Sequence, residues 1–84
     1  MKMATFFYVY ILQSEADPER FYTGWTTNLR QRLTRHNQGR VTHTSKWKPW
    51  TLKTYIAMSD AKRAAELETY FKSHSGRAFV KKHL

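Results

Sequence analysis

Apolar and aromatic residues run without interruption from Phe6 to Leu12, with neither Gly nor Pro among them. A short run rich in aromatic and β-branched types predicts a strand buried on both faces. Ser14-Glu15-Ala16-Asp17-Pro18-Glu19 is polar and contains Pro, which predicts a turn. Phe21–Trp25 predicts a second strand, and the short polar link makes the two an antiparallel hairpin. Thr26, Thr27 and Asn28 are helix-capping types. Helical spacing of apolar residues then runs from Leu29 to Asn37, with Gly39 where a helix would end. Residues 40–50 read as a basic loop, and Thr51–Met58 as a third strand. Ser59 or Asp60 caps a second helix to about Lys72, Ser75-Gly76 breaks it, and Arg77–Leu84 forms a short terminal helix.

The predicted order is ββαβαα: a small three-stranded, mostly antiparallel sheet flanked by helices, of α+β or two-layer α/β type. Eighty-four residues suit one domain over 1–84. A chain of this length buries only about 60% of the surface its unfolded form exposes. A polar group on a core-facing position therefore asks for a reason.

Charge sharpens the picture. The net charge is +9. Residues 1–27 carry net −1, residues 54–84 net +3, and residues 28–53 hold seven Lys/Arg and no acid. A 26-residue stretch of one sign suits a polyanion, nucleic acid before others. The absence of cysteine excludes a disulfide framework and Cys-ligated metals. No apolar run approaches the roughly 20 residues of a membrane span. A soluble, cytoplasmic protein without membrane contact is expected.

Two helix faces mix core and ionisable residues. Leu29, Arg32, Leu33 and His36 stand at i, i+3, i+4 and i+7, and so do Ala64, Leu67, Glu68 and Phe71. Arg30, Gln31 and Arg35 fall on the solvated side of the first helix. Glu66 points outward on the second, where Lys62 is its expected partner. An inward carboxylate needs a cation or a metal. Two readings stand on spacing alone: Arg32 and Glu68 pair at the edge of the core, or they belong to a site. Tyr8 and Tyr10, two apart, share one strand face. Tyr8 is expected to be a core or interface aromatic. His43, His74 and His83 lack metal-ligand spacing and read as surface residues. No Gly-rich phosphate loop and no Ser-His-Asp order is present.

The elements Tyr8-Val9-Tyr10 and Tyr22-Thr23-Gly24 resemble the paired strands that name the GIY-YIG nuclease family. They depart from the name at Tyr8 and Thr23. Asn28 to Asn37 resembles the family's first helix, with Arg32 and, four later, His36. Lys48-Pro49-Trp50 and Ser75-Gly76-Arg77-Ala78-Phe79 resemble segments of the small stand-alone bacterial members. These in turn are similar to the nuclease domain of the excision-repair incision subunit. Glu68, followed by Phe71-Lys72, matches the family's metal-binding glutamate. Some members use a late Asn; this chain has none after Asn37, and no residue is assigned that role.

The resemblance implies a metal-dependent endonuclease that cleaves DNA phosphodiester bonds, structure-selective or weakly specific, in repair or recombination. It implies Glu68 as ligand of Mg²⁺ or Mn²⁺, and Arg32 as the grip on the scissile phosphate. Tyr10 is the expected base and Tyr22 the residue that orients the water, with Tyr22 as the alternative base. A phenol that works as a base near pH 7 needs its pKa lowered by about three units, roughly 4 kcal/mol, with Arg32 and the metal as sources. His36 is expected to hydrogen-bond a tyrosine hydroxyl or a phosphate. Gly24 lets the substrate approach the backbone. Arg35, Arg40, Lys46 and Lys48 are the expected nucleic-acid contacts. A partner protein is a further expectation, because so short a chain leaves no room for a targeting domain. The alternative is a non-catalytic nucleic-acid-binding module in which Trp47 and Trp50 stack on bases.

Overall fold

The computed structural model describes residues 5–84. Its elements are β1 (Phe7–Ser14), β2 (Phe21–Thr26), α1 (Leu29–Asn37), a single 3₁₀ turn at Ser45–Trp47, β3 (Trp50–Met58), α2 (Ala61–Lys72) and α3 (His74–His83). The ββαβαα order is the one the sequence predicts. The sheet is antiparallel throughout, in the order β2-β1-β3.

β1 is central, and its uninterrupted apolar run has a direct structural cause. Side chains alternate across a sheet. Val9 and Ile11 pack on one face with Ala64 and Phe71 of the helical pair, supported by Leu67 and Val80. Tyr10 and Leu12 pack on the other face with Trp50, Leu29 and Leu33. All four β1 residues are buried. α1 thus covers one face and α2–α3 the other, giving three layers instead of the two-layer alternative. A chain this thin fills both layers because one strand feeds both.

The helix ends follow their sequence signals, with one exception. Asn28 caps α1 by accepting the Gln31 N–H at 3.0 Å, and Asp60 caps α2 by accepting those of Lys62 and Arg63 at 2.8 and 3.2 Å. Gly39, at φ +76°, lies just past α1, where a left-handed residue closes a helix. The exception is the break between α2 and α3. It falls at Ser73, and Gly76 lies inside α3, not at its boundary. The Ser73 backbone N–H donates to Tyr70 O, and its side chain accepts the Gly76 N–H, so one residue ends α2 and starts α3. A Cβ on Gly76 would collide with the Tyr70 carbonyl. Glycine is there because the first turn of α3 lies on the last turn of α2.

Candidate active site

The segment expected to be a basic loop is a structured support for α1. Asn37 clamps Trp50 through two bonds: its Oδ1 accepts the Trp50 backbone N–H at 2.6 Å, and its amide donates to Trp50 O at 3.1 Å. The Trp50 indole N–H donates to Thr44 O at 2.9 Å. Trp50 is therefore a core residue and unable to stack on a base, contrary to the binding-module expectation. Trp47 is half-buried, with the Arg20 guanidinium 3.7 Å above its ring.

His36 is 0% exposed, held between strand and loop. Its Nε2 lies 3.1 Å from Tyr10 Oη and its Nδ1 2.7 Å from Thr44 Oγ1. It thus contacts a tyrosine hydroxyl, the first of its two expected roles. Burial, and then the nearby Arg32 guanidinium, push its pKa from 6.5 down to about 4. The imidazole is neutral across the neutral pH range.

Tyr10 reaches this position because its cross-strand partner is Gly24. A Cβ on Gly24 would stand 2.6 Å from Tyr10 Oη and 2.8 Å from its Cζ. Gly24 therefore admits the phenol more than it admits a substrate backbone. The Tyr22 ring lies 4.9 Å from the His36 ring and 6.3 Å from that of Tyr10. The side chains around Tyr10 do not themselves supply the lowering of its pKa that a base role asks for. Burial and the neighbouring Tyr22 raise it, and Arg32 only partly opposes them. The protein alone does not make Tyr10 a phenolate.

A cleft of about 400 Å³ is lined by Tyr10, Tyr22, Gly24, Arg32 and Glu68, together with the turn from Trp25 to Thr27. Arg32 comes from α1 and Glu68 from α2, on opposite faces of the sheet. They meet because β2 is an edge strand, and the cleft straddles that edge. Arg32 and Glu68 do not pair: the Glu68 carboxylate lies 3.6 Å from Lys72 Nζ, and Arg32 forms no ion pair among the described residues. The core-edge reading of these two residues therefore fails. Glu66 also differs from expectation, pairing with Arg63 at 3.6 Å instead of Lys62.

Four of the five expected site residues thus line one cleft, and the fifth, His36, is bonded to one of them. Of the expected nucleic-acid contacts, Gly24 lies in the cleft. Arg35, Arg40, Lys46 and Lys48 are exposed and outside it. Tyr8 packs edge-on against Tyr55, ring centroids 5.8 Å apart, away from the cleft. His43, His74 and His83 are exposed, as expected. The lining also includes Thr26 and Thr27, which sequence reasoning took only as capping types, and Trp25. Thr44, 1% exposed, carries no signal in the sequence. Nothing distinguishes it from Thr42 in the sequence; only the fold turns one inward and leaves the other exposed.

No cluster of three His, Cys, Asp or Glu is present among the described residues. One carboxylate on an open polar cleft does not cage an ion. It does fit a hard cation such as Mg²⁺, which keeps several waters and takes one or two protein oxygens. Among the described residues no helix is long and apolar enough to cross a membrane.

The family profile of the GIY-YIG catalytic domain matches residues 6–82. The UPF0213 protein in the ldhD 5'region of Pediococcus acidilactici is 37% identical over 78 residues, covering 89% of this chain and 78% of its own. A UPF0213 protein of Clostridium perfringens is 34% identical over 64 residues, covering 76% and 67%. One from Streptococcus pyogenes serotype M5 is 33% identical over 72 residues, covering 84% and 76%.

Proposed function

Because this chain belongs to the GIY-YIG family of nuclease domains, we propose that it is a divalent-metal-dependent endonuclease acting on DNA phosphodiester bonds. The observation that carries the reading is the cleft itself. Tyr10, Tyr22, Arg32 and Glu68 come from four different elements and both sheet faces, yet border one space.

Glu68 would hold the cation, Mg²⁺ or Mn²⁺, which would supply positive charge to the phosphate. Arg32, without a carboxylate partner, binds the scissile phosphate and neutralises its developing charge. Tyr22 orients the attacking water.

The proton route follows from the 3.1 Å contact between Tyr10 Oη and His36 Nε2. Tyr10 does not wait as a phenolate. It takes the proton of the water on Oη while its own proton passes along the 3.1 Å bond to His36 Nε2. The hydroxide so formed bonds to phosphorus, the ester P–O bond breaks, and the proton held in passing on His36 returns through Tyr10 Oη to the leaving oxygen, so the ring ends neutral. Tyr22 remains the alternative base, and the Tyr10→Phe and Tyr22→Phe variants separate the two roles.

The test is a nicking screen over branched, flapped, single-stranded and duplex DNA with Mg²⁺ and with Mn²⁺. Wild type should nick at least one substrate, and Arg32→Ala and Glu68→Gln should each reduce the rate by at least about 100-fold while keeping their circular dichroism. Full activity in either folded variant overturns the assignment. Selection by DNA structure, a role in repair or recombination, a cytoplasmic location and a targeting partner protein belong to the same reading.

The seven cations of residues 28–53 favour one alternative, a nucleic-acid-binding module without catalysis. Steep loss of binding with salt and no cleavage with either metal is its signature.

A further inference from the structure

We propose that Thr44 is a positioning residue that fixes the tautomer of His36 and thereby makes the Tyr10 hydroxyl the donor toward His36. The catalytic consequence rests on the proton route above; the tautomer assignment does not.

Thr44 Oγ1 has one hydrogen to donate. It lies 3.2 Å from Val41 O, a carbonyl that can only accept. Val41 O also accepts the backbone N–H groups of Thr44 and Ser45, at 3.0 and 3.1 Å, and the Thr44 hydroxyl turns its proton to the same carbonyl. Thr44 Oγ1 also lies 2.7 Å from His36 Nδ1, and with the hydroxyl proton turned to Val41 O, Nδ1 carries the hydrogen there. A neutral imidazole has one N–H, which leaves Nε2 as acceptor. Tyr10 Oη, 3.1 Å from Nε2, must then donate, and its lone pairs are left for the cleft. The reverse arrangement, with Thr44 donating to Nδ1, turns the hydroxyl proton away from Val41 O, which keeps its two backbone N–H donors, and nitrogen-15 spectra of the ring distinguish the two. A doubly protonated ring is disfavoured by burial and by Arg32.

Thr44 is itself held in place. Its backbone N–H donates to Val41 O at 3.0 Å, and its carbonyl accepts the Trp50 indole N–H. Trp50 is clamped in turn by Asn37, the residue after His36. The loop that closes on the ring is thus tied to the helix that carries it. Partners behind a functional histidine act in this way elsewhere: they set the ring's orientation and say which nitrogen is bare.

The test is nitrogen-15 NMR of the imidazole at neutral pH. Wild type should show His36 as the Nδ1–H tautomer. Thr44→Ser, which keeps the hydroxyl, should retain it. Thr44→Val, which keeps the shape and removes the acceptor, should shift the ring toward Nε2–H. On a cleaved substrate, Thr44→Val should lower kcat by about 10- to 100-fold with KM little changed, and Thr44→Ser should restore it. An Nε2–H ring in wild type overturns the proposal, and this result needs no variant to fold. A Thr44→Val protein that keeps both the Nδ1–H ring and full kcat overturns it as well. If wild type cleaves nothing, the proposed function fails, and the tautomer measurement still decides this inference.

Discussion

Acidification should cost this fold stability through one residue, His36. The ring must gain a proton more easily in the unfolded chain, where its pKa is 6.5, than in the fold, where burial and Arg32 hold it near 4. A group whose folded pKa is depressed binds fewer protons in the native state, so stability is lost as pH falls. The contribution is complete above pH 6.5 and fades toward pH 4. Linkage gives a loss of about 1.4 kcal/mol between pH 7.5 and 5.5, rising to about 3 kcal/mol at pH 4. For a domain of this size 1.4 kcal/mol is a shift in Tm of roughly 6–11 °C. The comparison protein is His36→Gln, whose amide can accept from Tyr10 and donate to Thr44 but does not titrate. Thermal melts of both at pH 7.5 and 5.5, followed by circular dichroism, cancel every other titrating group. Wild type should lose about 6–11 °C more than His36→Gln on acidification. Parallel losses in the two proteins would refute the claim that a neutral, buried His36 underlies this acid sensitivity.

Gly24→Ala places a methyl group against the Tyr10 phenol, whose hydroxyl is bonded to His36, so neither side can yield freely. It should cost about 1–3 kcal/mol in urea unfolding and reduce nicking beyond what the stability loss explains. Gly76→Ala collides with backbone carbonyl instead of a side chain. It should be the more damaging of the two glycine changes, at about 3 kcal/mol or more, with exchange protection lost first along α3. Leu12→Ala, at a position 1% exposed, should lose about 2–5 kcal/mol by the same measure. Replacing exposed Arg35 and Lys48 by Glu should leave Tm within a few degrees but weaken DNA binding and flatten its dependence on salt. An unchanged salt slope would remove these two from the binding surface.

Much of the fold is legible in the sequence because β1 advertises itself. An unbroken apolar run has few explanations in a short chain, and burial on both faces is the one observed. The helical faces of Arg32–His36 and Leu67–Glu68 are legible for a similar reason: four positions at one spacing leave little freedom. What stays hidden depends on distance in the chain. Gly76 looks like a helix breaker locally, and only the packing of α3 on α2 shows that its missing side chain is what matters. Trp50 looks like a stacking aromatic in a basic loop until Asn37 and Thr44 take up its polar groups. A base needs the Tyr10 pKa low, but among the protein's own groups burial is the largest influence, and it acts in the opposite sense. Glu66 shows the limit at the surface, where Arg63 and Lys62 are both within reach of a flexible carboxylate and spacing cannot choose between them.

The cleft lies on the free edge of the sheet, with one half carried by α1 and the other by α2. Among the described residues nothing encircles that cleft. A polynucleotide laid sideways across β2 meets both halves at once, with no aperture to thread. Such a site has no use for a terminus. It should accept the middle of a chain as readily as its end, and a covalently closed circle as readily as a linear fragment carrying the same local structure.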